Sequence, residues 1–139
     1  MVEGSELMVE SQRRSFWAQR TAPVIFVLER EPYWTPELQR QFYASAVQVR
    51  GCRKWSELSG LMLSSPQTVA VIDFENYPAE CLTGLAARQR LHQSSPLILI
   101  SSPKYTDLEW VLREAGVVAY FADLPTGDDL ARCCRRWLR

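Results

Sequence analysis

Polar groups able to do chemistry stand directly behind the apolar runs of this chain. Asp73 ends Val69-Ala70-Val71-Ile72, with Glu75 just beyond it. Glu29, Arg30 and Glu31 follow Val24-Ile25-Phe26-Val27-Leu28, Ser101 and Ser102 follow Leu97-Ile98-Leu99-Ile100, and Asp123 comes shortly after Val117-Val118-Ala119-Tyr120-Phe121. If those runs are neighbouring strands, their carboxyl ends gather the groups around one crevice. Glu29, Glu75 and Asp123 converging there would suit a small cation or an amine.

Other chemistries find little footing. His92 is the only histidine, so a histidine-rich metal site is excluded and a nucleophilic triad would have to use it. Cys52, Cys81, Cys133 and Cys134 lack metal-ligand spacing and read as reduced thiols filling the core. No metal site is expected. Behind the first run, Glu29-Arg30-Glu31-Pro32-Tyr33-Trp34 is bulky and acidic, so a dinucleotide or flavin phosphate has no glycine-rich cradle. The 16 basic and 16 acidic residues cancel, which gives no general attraction to nucleic acid or an anionic membrane surface. Arg132, Arg135, Arg136 and Arg139 have a simpler role: they close the last helix at its negative end, while Asp128 and Asp129 open it at the positive one. Apolar stretches fall far short of the roughly 20 residues that span a bilayer, and the N-terminus lacks the apolar segment of a secretory signal. A cytoplasmic location is the expectation.

The elements that must position the crevice follow from patterning. A chain of 139 residues can bury one core unaided. Residues 1–21 read as a polar, flexible leader in which Phe16 and Trp17 are the notable apolar positions, and residues 22–139 as a single domain. Short apolar runs then alternate with amphipathic stretches, which points to an open parallel α/β sheet. Strands are predicted at the four runs named above, the one before Asp73 starting at Thr68, and at Val47-Gln48-Val49, whose alternation marks an edge strand. Thr35-Pro36-Glu37 predicts a helix start, with Thr35 as cap. Further helical stripes are Leu58, Leu61, Met62; Leu82, Leu85, Ala86; and Leu108, Val111, Leu112, Ala115, the last stopping at Gly116. Five strands with a helix after each fit a flavodoxin-like (βα)5 three-layer sandwich, a parallel sheet of order 2-1-3-4-5 with its crevice at the carboxyl ends of strands one and three.

Within that frame the residues resemble the receiver domains of two-component response regulators across about residues 22–139. Leu28-Glu29-Arg30-Glu31-Pro32 resembles their acidic-pair segment, with Arg30 in the second acidic place. Asp73 fits the phosphoacceptor, although Pro78 comes one position later than is usual. Ser101 fits the hydroxyl residue that ligates the phosphoryl group, and Tyr120 the aromatic that rotates on activation, so both are switch-like. Asp123 stands where the family has its lysine, with Leu124 in place of the proline behind it.

The resemblance implies signalling with its phosphate chemistry dismantled. An acyl phosphate at Asp73 would need an ammonium, and a carboxylate there reverses the local field. Even at an effective dielectric of about 20, one unit charge pair at about 4 Å is worth roughly 4 kcal/mol. Arg30 would repel magnesium and is expected to pair with Asp73 or Asp123 as the pocket cation, within an acidic pocket of Glu29, Glu31, Glu75 and Asp123. The leading expectation is a non-catalytic pseudo-receiver, a protein-interaction module of two-component or phosphorelay signalling without a cofactor. It would contact a protein partner or a second copy through helix four, strand five and helix five, including Trp110 and Tyr120. The alternative is an atypical phosphoreceiver modified at Asp73, with Mg2+ held by Glu29 and Glu75.

Overall fold

In the computed structural model, residues 22–65 and 67–138 are described, so the leader expected over 1–21, with Phe16 and Trp17, lies outside the described residues. The strands are β1 (Val24–Leu28), β2 (Gln48–Cys52), β3 (Thr68–Asp73), β4 (Leu97–Ile100) and β5 (Val117–Phe121). They form one parallel sheet of order β2-β1-β3-β4-β5, the order expected from the sequence. The helices are α1 (Trp34–Gln41), α2 (Trp55–Leu63), α3 (Pro78–Arg90), α4 (Glu109–Glu114) and α5 (Gly127–Trp137). Short 3-10 turns, Phe74–Asn76 and Pro103–Leu108, precede α3 and α4.

Burial explains the runs. Every residue of β1 and β4 is buried, because helices cover both sheet faces and alternate side chains enter different core layers. Val24, Phe26 and Leu28 join Leu58, Met62, Leu85 and Leu112 beneath α2, α3 and α4. Ile25 and Val27 join Trp34, Leu38, Leu130 and Cys134 beneath α1 and α5. All four cysteines are free; Cys52, Cys81 and Cys134 are buried and Cys133 partly so. Burial pushes the Cys52 thiol up to about 11 and those of Cys81 and Cys134 up to about 12, so these three stay protonated. Among the described residues no helix is long and apolar enough to cross a membrane.

Several local expectations shift. β2 runs on to Cys52, because the whole segment pairs in register with β1. In α3 the buried face is Cys81, Gly84 and Leu85, whereas Leu82 and Ala86 lie outward. Two contacts set this phase. The Tyr77 hydroxyl donates to the Arg53 carbonyl (2.7 Å) just before Pro78 opens the helix, and the Trp55 indole lies across Gly84. Val111 is exposed, since α4 is a short helix entered from a 3-10 turn that absorbs Leu108. Gly116 takes a φ of 106°, a conformation that favours glycine, and so ends α4 cleanly.

A Cβ at position 84 would come within 2.1 Å of the Trp55 ring. Gly84→Ala should therefore destabilise the fold by about 1–3 kcal/mol in urea unfolding. In a Trp55→Leu background most of that loss should disappear, as a double-mutant cycle would show.

Candidate functional site

Parallel pairing delivers the acidic groups to one end of the sheet. Leu28 pairs with Ile72, so Glu29 and Asp73 leave adjacent strands at the same level, and Asp73 in turn pairs with Ile100, one residue before Ser101. A cavity of 490 Å3 opens there, lined by Glu29, Arg30, Glu31, Asp73, Glu75 and Asn76 among others.

Glu29 is the best-held side chain of the site. It is 5% exposed. Its Oε1 accepts the backbone N–H groups of Tyr33 (3.0 Å) and Trp34 (2.9 Å), while Oε2 accepts the Thr35 N–H (2.9 Å) and the Thr35 hydroxyl (2.6 Å). Two carboxylate oxygens offer about four lone-pair sites, so the acceptor capacity of Glu29 is filled. The acid serves as the N-terminal anchor of α1, whose first N–H groups lack intrahelical partners and sit at the positive end of the helix dipole. This corrects the expected Thr35 cap. The helix starts earlier, at Trp34, and the Thr35 hydroxyl donates to Glu29 rather than accepting a backbone N–H.

Asp73 is half-buried and takes a side-chain hydrogen bond from the Asn76 amide. Burial raises its carboxyl above the usual range; Asn76 pulls it down, while the charges of Glu75 and Glu29 push it further up. Asn76 was not foreseen from the sequence. The 3-10 turn Phe74–Asn76 swings it back over Asp73, and the same turn accounts for the extra residue before Pro78.

Asp123 does not join this crevice. It is exposed, and its Oδ1 accepts the N–H of Leu124 (2.8 Å), so the carboxylate closes its own loop while Leu124 lines the cavity. The acidic pocket expected of Glu29, Glu31, Glu75 and Asp123 is thus reduced to Glu31 and Glu75 around Asp73, with Glu29 turned to α1. Neither lysine of the chain, Lys54 or Lys104, lines the cavity; the Lys104 ammonium lies 5.3 Å from the Tyr105 ring centroid. Arg30 does line it, but among the described residues no ion pair joins Arg30 to Asp73 or Asp123, contrary to expectation.

These residues do not fit a magnesium ion. A cation at Glu29 would have to displace hydrogen bonds that hold the start of α1, and Arg30 adds like charge to the same cavity. The small-cation site expected of Glu29, Glu75 and Asp123 fails for the same reason and because Asp123 does not line the cavity. Among the described residues no group of three or more His, Cys, Asp or Glu is placed to hold a metal ion.

Ser101 is buried at 5% exposure, and its hydroxyl has no partner among the described residues, nor does that of Ser102. Tyr120 is 8% exposed and donates its hydroxyl to the Tyr105 carbonyl (3.1 Å), so it faces the core and is not a free surface contact. Trp110, by contrast, is 72% exposed.

With that geometry in place, comparison with solved structures shows the fold. The chain superposes on the receiver domain of the TMAO respiratory system response regulator TorR with a TM-score of 0.67 and 21% sequence identity, covering 82% of this chain and 94% of that one. No family model and no curated protein matches the sequence. The chain therefore has the receiver fold, on a sequence far from that of TorR.

Glu29→Gln would put an amide nitrogen against N–H donors that now meet a carboxylate. We expect a loss of about 2–4 kcal/mol in denaturant unfolding, whereas an acid free to bind cations would tolerate the change. Asp73 carries the opposite sign. Its folded pKa is raised, so its favourable contribution is fully present below the unfolded value near 3.8 and is lost as pH rises through the folded value. Asp73→Asn should accordingly be more stable than the parent chain at pH 7, with the difference shrinking as the pH falls toward 3.8, measured as unfolding midpoints across pH.

Proposed function

We propose that this chain is a non-catalytic pseudo-receiver, a protein-interaction module of two-component signalling that works in the cytoplasm without a bound metal. It keeps an acid at the phosphoacceptor position, Asp73, and carries Asp123 in the place of the essential lysine. The observation that supports this reading most strongly is the filled acceptor capacity of Glu29. In a receiver, the acid at that place helps hold the divalent ion; here it is consumed in holding α1. Among the described residues no lysine ammonium is placed to compensate a phosphoryl group at Asp73, because neither Lys54 nor Lys104 lines the cavity.

The contact surface in this reading is the face formed by α4, β5 and α5. β5 is an edge strand, and beside it a groove of 540 Å3 is lined by Arg113, Val118, Phe121, Arg132, Arg136 and Trp137. Guanidinium groups beside aromatic and aliphatic surface make a composition suited to protein contacts. Trp110 on α4 adds an exposed aromatic. Tyr120 contributes from within, its hydroxyl already engaged on Tyr105, so its rotation would cost that hydrogen bond.

One observation favours the second reading, an atypical phosphoreceiver modified at Asp73: the buried, unpartnered hydroxyl of Ser101 lies at the strand end beside that acid. Incubation with acetyl phosphate and Mg2+, followed by intact-mass measurement, separates the two. The expected result is an unchanged mass, and an unchanged mass again for Asp123→Lys, since restoring an amine does not release Glu29. A phosphate adduct on the parent chain that Asp73→Asn abolishes would overturn the proposal.

A further inference from the structure

At the opposite end of the sheet from Asp73, where strands begin, α2, the end of α3 and the loop entering β4 enclose a second cavity of 260 Å3. Its lining is mixed: Leu58, Met62, Leu97 and the Trp55 indole make an apolar part, and Ser59, Ser65 and the segment from Gln93 to Ser95 supply polar groups. The indole can lie there because residue 84 is glycine: any Cβ at that position would overlap the ring. No residue lines both this cavity and the one at Asp73.

Arg88 supplies the cavity's charge. Its side chain is partly withdrawn from water, and its guanidinium donates to the Ser95 carbonyl. Among the described residues it has no carboxylate partner. Burial lowers its pKa, with no acid acting the other way. A guanidinium carries five N–H donors in a planar fork that matches the two oxygens of a carboxylate. Desolvating such a group without an anion is costly, so an anion that enters with it gains a strengthened, bidentate contact. One guanidinium neutralises one negative charge, and the apolar part of the lining, Trp55, Leu58, Met62 and Leu97, suits an apolar body. The volume lies just under the roughly 300 Å3 at which drug-sized pockets begin, which limits the occupant to a small molecule.

We infer that this cavity is a binding site for a small monocarboxylate with an aromatic or short aliphatic body, its carboxylate on Arg88 and its body against Leu58, Met62 and Trp55. The site is independent of whatever occurs at Asp73. Titration of the isotope-labelled chain with 3-phenylpropionate, followed by two-dimensional NMR, tests it. Saturable shifts are expected at the Trp55 indole N–H and at the amides of Ser94 and Ser95. The neutral analogue 3-phenylpropanamide should bind at least about tenfold more weakly, a difference of about 1.4 kcal/mol. Arg88→Gln should weaken the acid by a similar factor, and Met62→Trp, which fills the cavity, should abolish binding of both. Equal affinity for acid and amide on the unaltered chain would overturn the inference, as would shifts centred elsewhere or no saturable response up to about 10 mM.

Discussion

One carboxylate, Glu29, holds the order of this site. Its contacts with the first N–H groups of α1 and the Thr35 hydroxyl turn the chain sharply at the end of β1. That turn brings Trp34 and Leu38 down onto the sheet face shared with α5. The alignment continues into the contact between the helices, where Gln41 donates to Asp128 (2.6 Å) and the Arg135 guanidinium lies 4.8 Å from the Phe42 ring centroid. A charge-assisted anchor at a helix N-terminus is worth more than a neutral cap, and here it fixes a whole core layer as well as one loop.

The same bonding removes Glu29 from any other chemistry. Its oxygens are occupied by N–H and hydroxyl donors and are not free to take a cation, although its charge still raises the Asp73 carboxyl pKa. What remains around Asp73 is a half-buried carboxyl with a raised pKa, an asparagine amide as its hydrogen-bond partner, and Arg30, which forms no ion pair with Asp73 or Asp123. In this crevice Glu29 and Asp73 are engaged in hydrogen bonds within their own loops, whereas the Ser101 and Ser102 hydroxyls have no partner among the described residues.

The two ends of the sheet thus differ in character. At the carboxyl ends the loops are acidic, and Glu29, Asp73 and Asp123 each accept hydrogen bonds from their own loop. Toward the amino ends, the Trp55 indole packs on Gly84 between α2 and α3, beside a cavity of mixed lining with one guanidinium, that of Arg88. Both follow from the same parallel arrangement, in which every strand runs from one opening to the other.

Strand positions, strand order and the gathering of Glu29, Asp73 and Ser101 at one sheet end were legible in the sequence, because buried parallel strands need continuous apolar runs and the register follows from them. The stop at Gly116 was legible for a similarly local reason, its backbone conformation. What could not be read were the directions of side chains on loops. The run Glu29 to Thr35 does not say whether an acid points into a crevice or back at a helix; that depends on where unpaired N–H groups fall in space. Likewise only the folded loop shows Asp123 bonding its own neighbour's amide, Asn76 returning over Asp73, and α3 rotated so that Gly84 meets Trp55. Periodicity locates the elements, since burial is a sum over a whole face, but it left the buried face of α3 and the exposure of Val111 undetermined. Individual polar contacts depend on geometry at the scale of one hydrogen bond, and that is settled only when the elements pack.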